Sequence, residues 1–159
     1  MSRTIALFAD VNNLFYCCSK KFSGRKLDYK KYLASVVGSN TLYRAFAYGT
    51  QLNDEAIPFM VSLKHSGFEI KYRKPRVIET TGEMKKVVWT VGLAMDAVRL
   101  IERVDTIVIG SSDPALEHLV DWIKGAGVRC LVHACGISPE LRDKADEWVE
   151  ISENLLEGT

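Results

Sequence analysis

No stretch of this 159-residue sequence stays apolar for the roughly 20 residues that a membrane-spanning helix needs. The first apolar run, Ile5 to Ala9, is closed by Asp10 and is too short for the hydrophobic region of an export signal. Net charge is also nearly absent, with 21 Lys plus Arg against 20 Asp plus Glu. No long-range attraction draws this chain to nucleic acid, so any such binding must use a local basic patch. The four cysteines, Cys17, Cys18, Cys130 and Cys135, contain no CxxC pair. Free thiols in a reducing cytoplasm are therefore expected. Cys130, His133 and Cys135 fit no common zinc spacing, and a strand would turn the first two to opposite faces. His65 and His118 have no nucleophile at a recognisable spacing, which leaves Ser-His-Asp chemistry without support. Neither a P-loop ending in Gly-Lys-Ser/Thr nor a GxGxxG dinucleotide fingerprint is present.

What is present is a normal globular balance and a repeated alternation of short apolar runs with helix-like stretches. Hydrophobic residues make up 47% and charged residues 26%, enough for one core, and a single domain over 1–159 is expected. Runs at Ile5–Ala9, Leu42–Tyr48, Phe68–Tyr72, Thr106–Ile109 and Val128–Val132 read as strands, and Trp148–Ile151 could add a sixth. Asp54 is placed to cap a helix through Ile57, Met60 and Val61 that stops at Gly67. Val87 to Val104 carries apolar residues at helical spacing, and Asp113-Pro114 opens another helix ended by Gly125 and Gly127. Strand and helix in alternation predict a three-layer α/β fold, Rossmann-like, with a mostly parallel central sheet of five to six strands. Only Lys74 to Lys86 has no clear period, and a connection of that length is either functional or mobile.

In such sheets ligands bind outside the carboxyl ends of the strands. Asp10 and Asp113 stand at two of those ends, while Asp96 interrupts an otherwise apolar helix. Each has a plainer explanation. The first two could be helix caps, and Asp96 could lie on an exposed face paired with Arg99. Together, three such carboxylates suit a hard cation, Mg²⁺ or Mn²⁺. Ser111 and Ser112 sit at a helix entry, where hydroxyls and N–H groups can meet a phosphate oxygen or simply cap the turn. Lys71, Arg73, Lys74, Arg76, Lys85 and Lys86, with Tyr72 and Trp89 nearby, form the best local candidate for gripping a phosphate backbone and stacking a base. A lysine-protected sheet edge is the competing explanation.

Three segments, in order, carry a resemblance. Ile5-Ala-Leu-Phe-Ala-Asp10-Val-Asn-Asn13-Leu resembles the first-strand motif of the NYN domain family, the LabA-like branch of the PIN-like nuclease superfamily. Lys86-Val-Val-Trp-Thr-Val-Gly-Leu-Ala-Met-Asp96-Ala is similar to that family's central helix, where a Lys precedes an "LAxDA" segment. Ile109-Gly-Ser-Ser-Asp113-Pro-Ala-Leu-Glu-His-Leu-Val resembles its "SGDxDFxxLV" motif, and Gly127-Val-Arg-Cys its following "GxxV" entry. The resemblance implies a PIN-like fold in which Asp10, Asp96 and Asp113 bind Mg²⁺ or Mn²⁺ and serve RNA hydrolysis. It also implies that Asn13 holds the first turn or contacts a metal-bound water or phosphate, and that Lys86 lies close to the acidic cluster. Two positions depart from the pattern. The Asp that members often carry six residues before Asp96 is Thr90 here, and the second Asp of the strand-end motif is Ala115.

These readings define the expectations. A metal-dependent endoribonuclease comes first, and a catalytically weak or inactive RNA-binding or regulatory module is the alternative, given Thr90 and Ala115. A plain interaction protein, with all three aspartates as caps, is the third. The expected partner is RNA rather than a membrane. Exposed sheet edges or apolar helix faces could support a homodimer, although no residue pattern specifies one.

Overall fold

The computed structural model describes residues 2–159. Six parallel strands form the central sheet: β1 (Thr4–Asp10), β2 (Thr41–Thr50), β3 (Glu69–Arg73), then β6 (Thr106–Gly110), β7 (Arg129–Ala134) and β8 (Glu147–Glu150). Between β3 and β6 lies a small antiparallel pair, β4 (Arg76–Val77) and β5 (Met84–Lys85). The helices are α1 (Val11–Lys21), α2 (Tyr29–Val37), α3 (Ile57–His65), α4 (Thr90–Arg99), α5 (Glu117–Gly125) and α6 (Pro139–Lys144). With the sheet between them they make the expected three-layer α/β fold.

The order across the sheet is β3-β2-β1-β6-β7-β8. The two central strands, β1 and β6, are buried throughout their apolar runs, as strands covered on both faces must be. Phe8, Leu7, Ile107 and Ile109 are among the largest fully buried side chains, so the core is centred on the strands that carry Asp10 and lead to Asp113. Phe8 on β1 stacks on Phe46 of β2 with ring centroids 5.2 Å apart, helping to fix that pairing. Among the described residues, no helix is long and apolar enough to cross a membrane.

Three local expectations change. Asn53, rather than Asp54, provides the cap before α3; its side chain accepts the Glu55 N–H at 2.9 Å and opens a short 3₁₀ turn over Asp54–Ala56. The helix expected from 87 to 104 occupies only Thr90–Arg99. Trp89 pins its start, with the indole N–H donating to the Gly49 carbonyl at 2.8 Å, and i→i+3 hydrogen bonds at Leu100, Ile101 and Arg103 end it. The segment from 74 to 86 folds as a hairpin. Its turn closes through the Gly82 N–H to the Ile78 carbonyl at 2.7 Å, with Gly82 at φ +71°.

Candidate active site

From β1 the chain winds outward through β2 and β3, whereas from β6 it winds the other way through β7 and β8. The crevice between the carboxyl ends of β1 and β6 is thus the topological switch point of the sheet, where an open α/β fold leaves room for a ligand. Asp10 ends β1 and caps α1, its Oδ1 accepting the Asn13 N–H at 3.1 Å. Asp113 follows β6 and caps the 3₁₀ turn Pro114–Leu116, with Oδ1 accepting the Ala115 N–H at 2.9 Å. Its other oxygen, Oδ2, accepts a hydrogen bond from the Thr90 hydroxyl at 3.2 Å. Both aspartates are helix caps, yet both also line one cleft of about 470 Å³. Asn12, Asn13, Tyr16, Lys86, Trp89, Thr90 and Ser112 complete its polar and aromatic wall.

Burial is the main force on Asp10 and raises its pKa above the ordinary carboxylate value. The Asn13 amide works against that rise, the nearby Asp113 charge adds to it, and Lys86 partly offsets it. Asp10 therefore resists ionisation in the cleft that it shares with Asp113. A cation seated between them would relieve that resistance. The available donors are all oxygens (two carboxylates, the Thr90 hydroxyl and amide carbonyls), the set that Mg²⁺ and Mn²⁺ take. These residues fit one such ion.

Asp96 does not join them. Its Oδ2 accepts from the Tyr48 hydroxyl at 2.8 Å and from Lys71 Nζ at 2.7 Å, while Arg99 lies 3.7 Å from Oδ1. Among the described residues, no three His, Cys, Asp or Glu side chains form a group able to hold a metal ion. The reason lies in the helix itself. Thr90 faces Asp113, and six residues along an α-helix carry Asp96 about 9 Å further and about 120° round the axis. The expected trio becomes a pair, Asp10 and Asp113, with Asp96 neutralised by the basic residue that β3 presents.

Residues 4–152 match the NYN domain. The chain belongs to the NYN domain family. A crystal structure of a protein of unknown function from Vibrio parahaemolyticus matches at TM-score 0.88 and 27% identity, covering 98% of this chain and 96% of that one. Phosphofructokinase-2 from Escherichia coli matches at TM-score 0.41 and 12% identity, over 86% of this chain and 55% of that one, too distant to bear on the site. No curated protein matches the chain. The family places the fold in the PIN-like nuclease superfamily, and the matched span contains every residue of the cleft.

The other expected site residues of this NYN domain divide into positioning groups and open ones. Asn13 clips α1 to the turn after β6: its Oδ1 accepts the Ser112 N–H at 2.9 Å, and its Nδ2 donates to Ser112 Oγ at 3.1 Å. Ser112 is thereby occupied, with Cys17 Sγ a further 3.4 Å neighbour. Ser111 is fully buried, and its hydroxyl accepts the Asp113 N–H at 3.2 Å. Both serines hold the loop rather than offering free hydroxyls to a phosphate. Lys86 is exposed on the cleft wall. It also belongs to an adjoining groove of about 370 Å³ that gathers Arg73, Lys74, Arg76 and Lys85. Lys71 is absent from that groove because it pairs with Asp96.

The aromatic expectation is corrected for Trp89. Trp89 is buried, its N–H is committed to Gly49, and the Arg73 guanidinium covers its ring at 4.3 Å. Tyr72 rests on Gly49, where a Cβ would come within 2.2 Å of Tyr72 Cζ. The exposed ring at the cleft is Tyr16, at 64% exposure. Tyr16 and Asn12 are sequence omissions that helical spacing from Asn13 could have supplied, since 12, 13 and 16 share one side of α1.

Proposed function

We propose that this NYN domain binds RNA along its basic groove and hydrolyses a phosphodiester at the adjoining cleft, with one Mg²⁺ or Mn²⁺ held between Asp10 and Asp113. The observation that carries this reading is the meeting of those two carboxylates with Lys86 at the switch point between β1 and β6. Thr90 keeps Asp113 turned toward the cleft through its hydroxyl, and Asn13 fixes the loop that carries Asp113. Lys86 places a positive charge beside Asp10, suited to the phosphate of a bound strand. A bound divalent ion supplies Lewis-acid stabilisation of the phosphoryl oxygens and eases ionisation of the attacking water. The five cations of the groove track a backbone that the near-neutral whole chain would not attract.

A second reading, RNA binding without turnover, is favoured by one set of observations: Thr90 and Ala115 bring no carboxylate, and Asp96 is spent on Lys71. Incubating the protein with single-stranded RNA in Mn²⁺, and again in excess EDTA, separates the two. Cleavage that requires the ion supports hydrolysis. Binding without cleavage, with activity rising in Thr90→Asp/Ala115→Asp, supports the second reading; cleavage unaffected by EDTA removes the metal from the account.

A further inference from the structure

A second cavity, of about 440 Å³, lies beside the acidic cleft and shares Asn12 with it. Its size falls within the roughly 300–1,000 Å³ typical of small-molecule sites. Four aromatic rings line it: Phe15, Tyr29, Phe59 and Tyr72. Phe15 and Phe59 are 52% and 37% exposed, large apolar surfaces that the fold leaves wet at the mouth of a cavity. The wall is also preorganised. Tyr29 packs against Phe59 at 5.5 Å and Phe68 at 6.3 Å, and Asn12 Nδ2 donates to Thr50 Oγ1, on the same wall, at 2.8 Å.

Tyr29 belongs to the closed part of this wall. Tyr29 is nine-tenths buried, and its Oη has no hydrogen-bond partner among the described residues. Lys26 and Glu157 add charged groups to an otherwise aromatic lining.

We propose that this cavity receives one unpaired base of the RNA strand whose phosphate lies in the acidic cleft, with Asn12 at the junction of the two. This rests on the proposed RNA-directed reading of that cleft. Flat rings on several sides suit the faces of a base, and Asn12, Lys26 and Glu157 on the same lining offer polar partners for its edge. Double-stranded RNA keeps its bases stacked inside the helix, so the inferred substrate is single-stranded or carries an unstacked base.

The test uses the whole chain and a short single-stranded RNA labelled with a fluorophore, together with a set of the same oligonucleotide in which one residue at a time is abasic. Fluorescence anisotropy in EDTA reads the affinity. One abasic position is expected to weaken binding about 5- to 150-fold, the range of a single base–aromatic stack. Phe59→Ala and Phe15→Ala should each weaken the full oligonucleotide, and in Phe59→Ala the abasic penalty should shrink. Tyr29→Phe, which keeps the ring and removes only a hydroxyl closed off from the cavity, should leave affinity unchanged. Thermal melting confirms that each variant is folded, and Phe59→Tyr should restore binding if Phe59→Ala is not. Full-strength RNA binding by both Ala variants and at every abasic position overturns the base pocket and leaves the cleft reading standing. No RNA binding by the unaltered chain overturns both.

Discussion

Replacing Asp10 by Asn should stabilise the metal-free protein and abolish its response to divalent cations. Asp10 has its pKa raised by burial and by Asp113, so the folded chain keeps that proton to higher pH than the unfolded chain does. Between the two values stability falls as pH rises, and above both the ionised carboxylate costs folding free energy in full. Asparagine removes that charge but caps a helix as well as aspartate does, so the bond from the Asn13 N–H survives. For a chain of this size, each ~1 kcal/mol recovered raises Tm by about 2–4 °C. A cation at about ten times its Kd offsets the same resistance in the native protein by about 1.4 kcal/mol, a rise of about 3–6 °C. Calorimetry at pH 7.5, with Mn²⁺ titrated against EDTA, reads both effects. A native Tm that ignores Mn²⁺, or a metal-free Asp10→Asn that melts below the native protein, would refute the reasoning.

Three further outcomes follow from the same geometry. Asp96→Asn should cost about 1–3 kcal/mol in urea denaturation, because it strips charge-assisted hydrogen bonds from Lys71 and Tyr48; the lower half is expected because Lys71 is partly solvated. The His133 pKa is lowered from 6.5 to about 4 by burial, so the unfolded chain binds the extra proton first as pH drops. Stability should then fall by on the order of 3 kcal/mol between pH 6.5 and 4, and His133→Gln should flatten that part of the curve. Arg76→Glu and Lys85→Glu should each weaken RNA binding and reduce the slope of log K against log salt by about 0.7 or more, measured by anisotropy across salt concentrations.

The fold is legible in the sequence where the signal is local. β1 is announced by five apolar residues closed by Asp10, β6 by Thr106 and three apolar residues closed by Gly110, and buried parallel strands need nothing subtler. The order of the motifs then places Asp10 and Asp113 at neighbouring strand ends, and the structure brings them to one cleft. That Asp96 lies apart from them is not legible, because its partner is not local. Lys71 lies 25 residues away on β3, and only the rotation of α4 decides whether the carboxylate meets it or the cleft. The bonding of Ser112 is hidden for the same reason: its partner, Asn13, lies 99 residues before it. The β4–β5 hairpin has two-residue strands, too short for alternation to register. The second cavity is invisible in the sequence because its rings, Phe15, Tyr29, Phe59 and Tyr72, come from four separate elements.

The central claim is that Asp10 and Asp113, without Asp96, form the working pair of this NYN domain. Mn²⁺-dependent cleavage of single-stranded RNA, compared among the native chain, Asp10→Asn, Asp113→Asn and Asp96→Asn at a temperature where all four are folded, tests it most directly. Loss of cleavage in the first two variants with retention in Asp96→Asn is the predicted result. Loss in Asp96→Asn equal to theirs, or persistence of cleavage in both Asp10→Asn and Asp113→Asn, would contradict it.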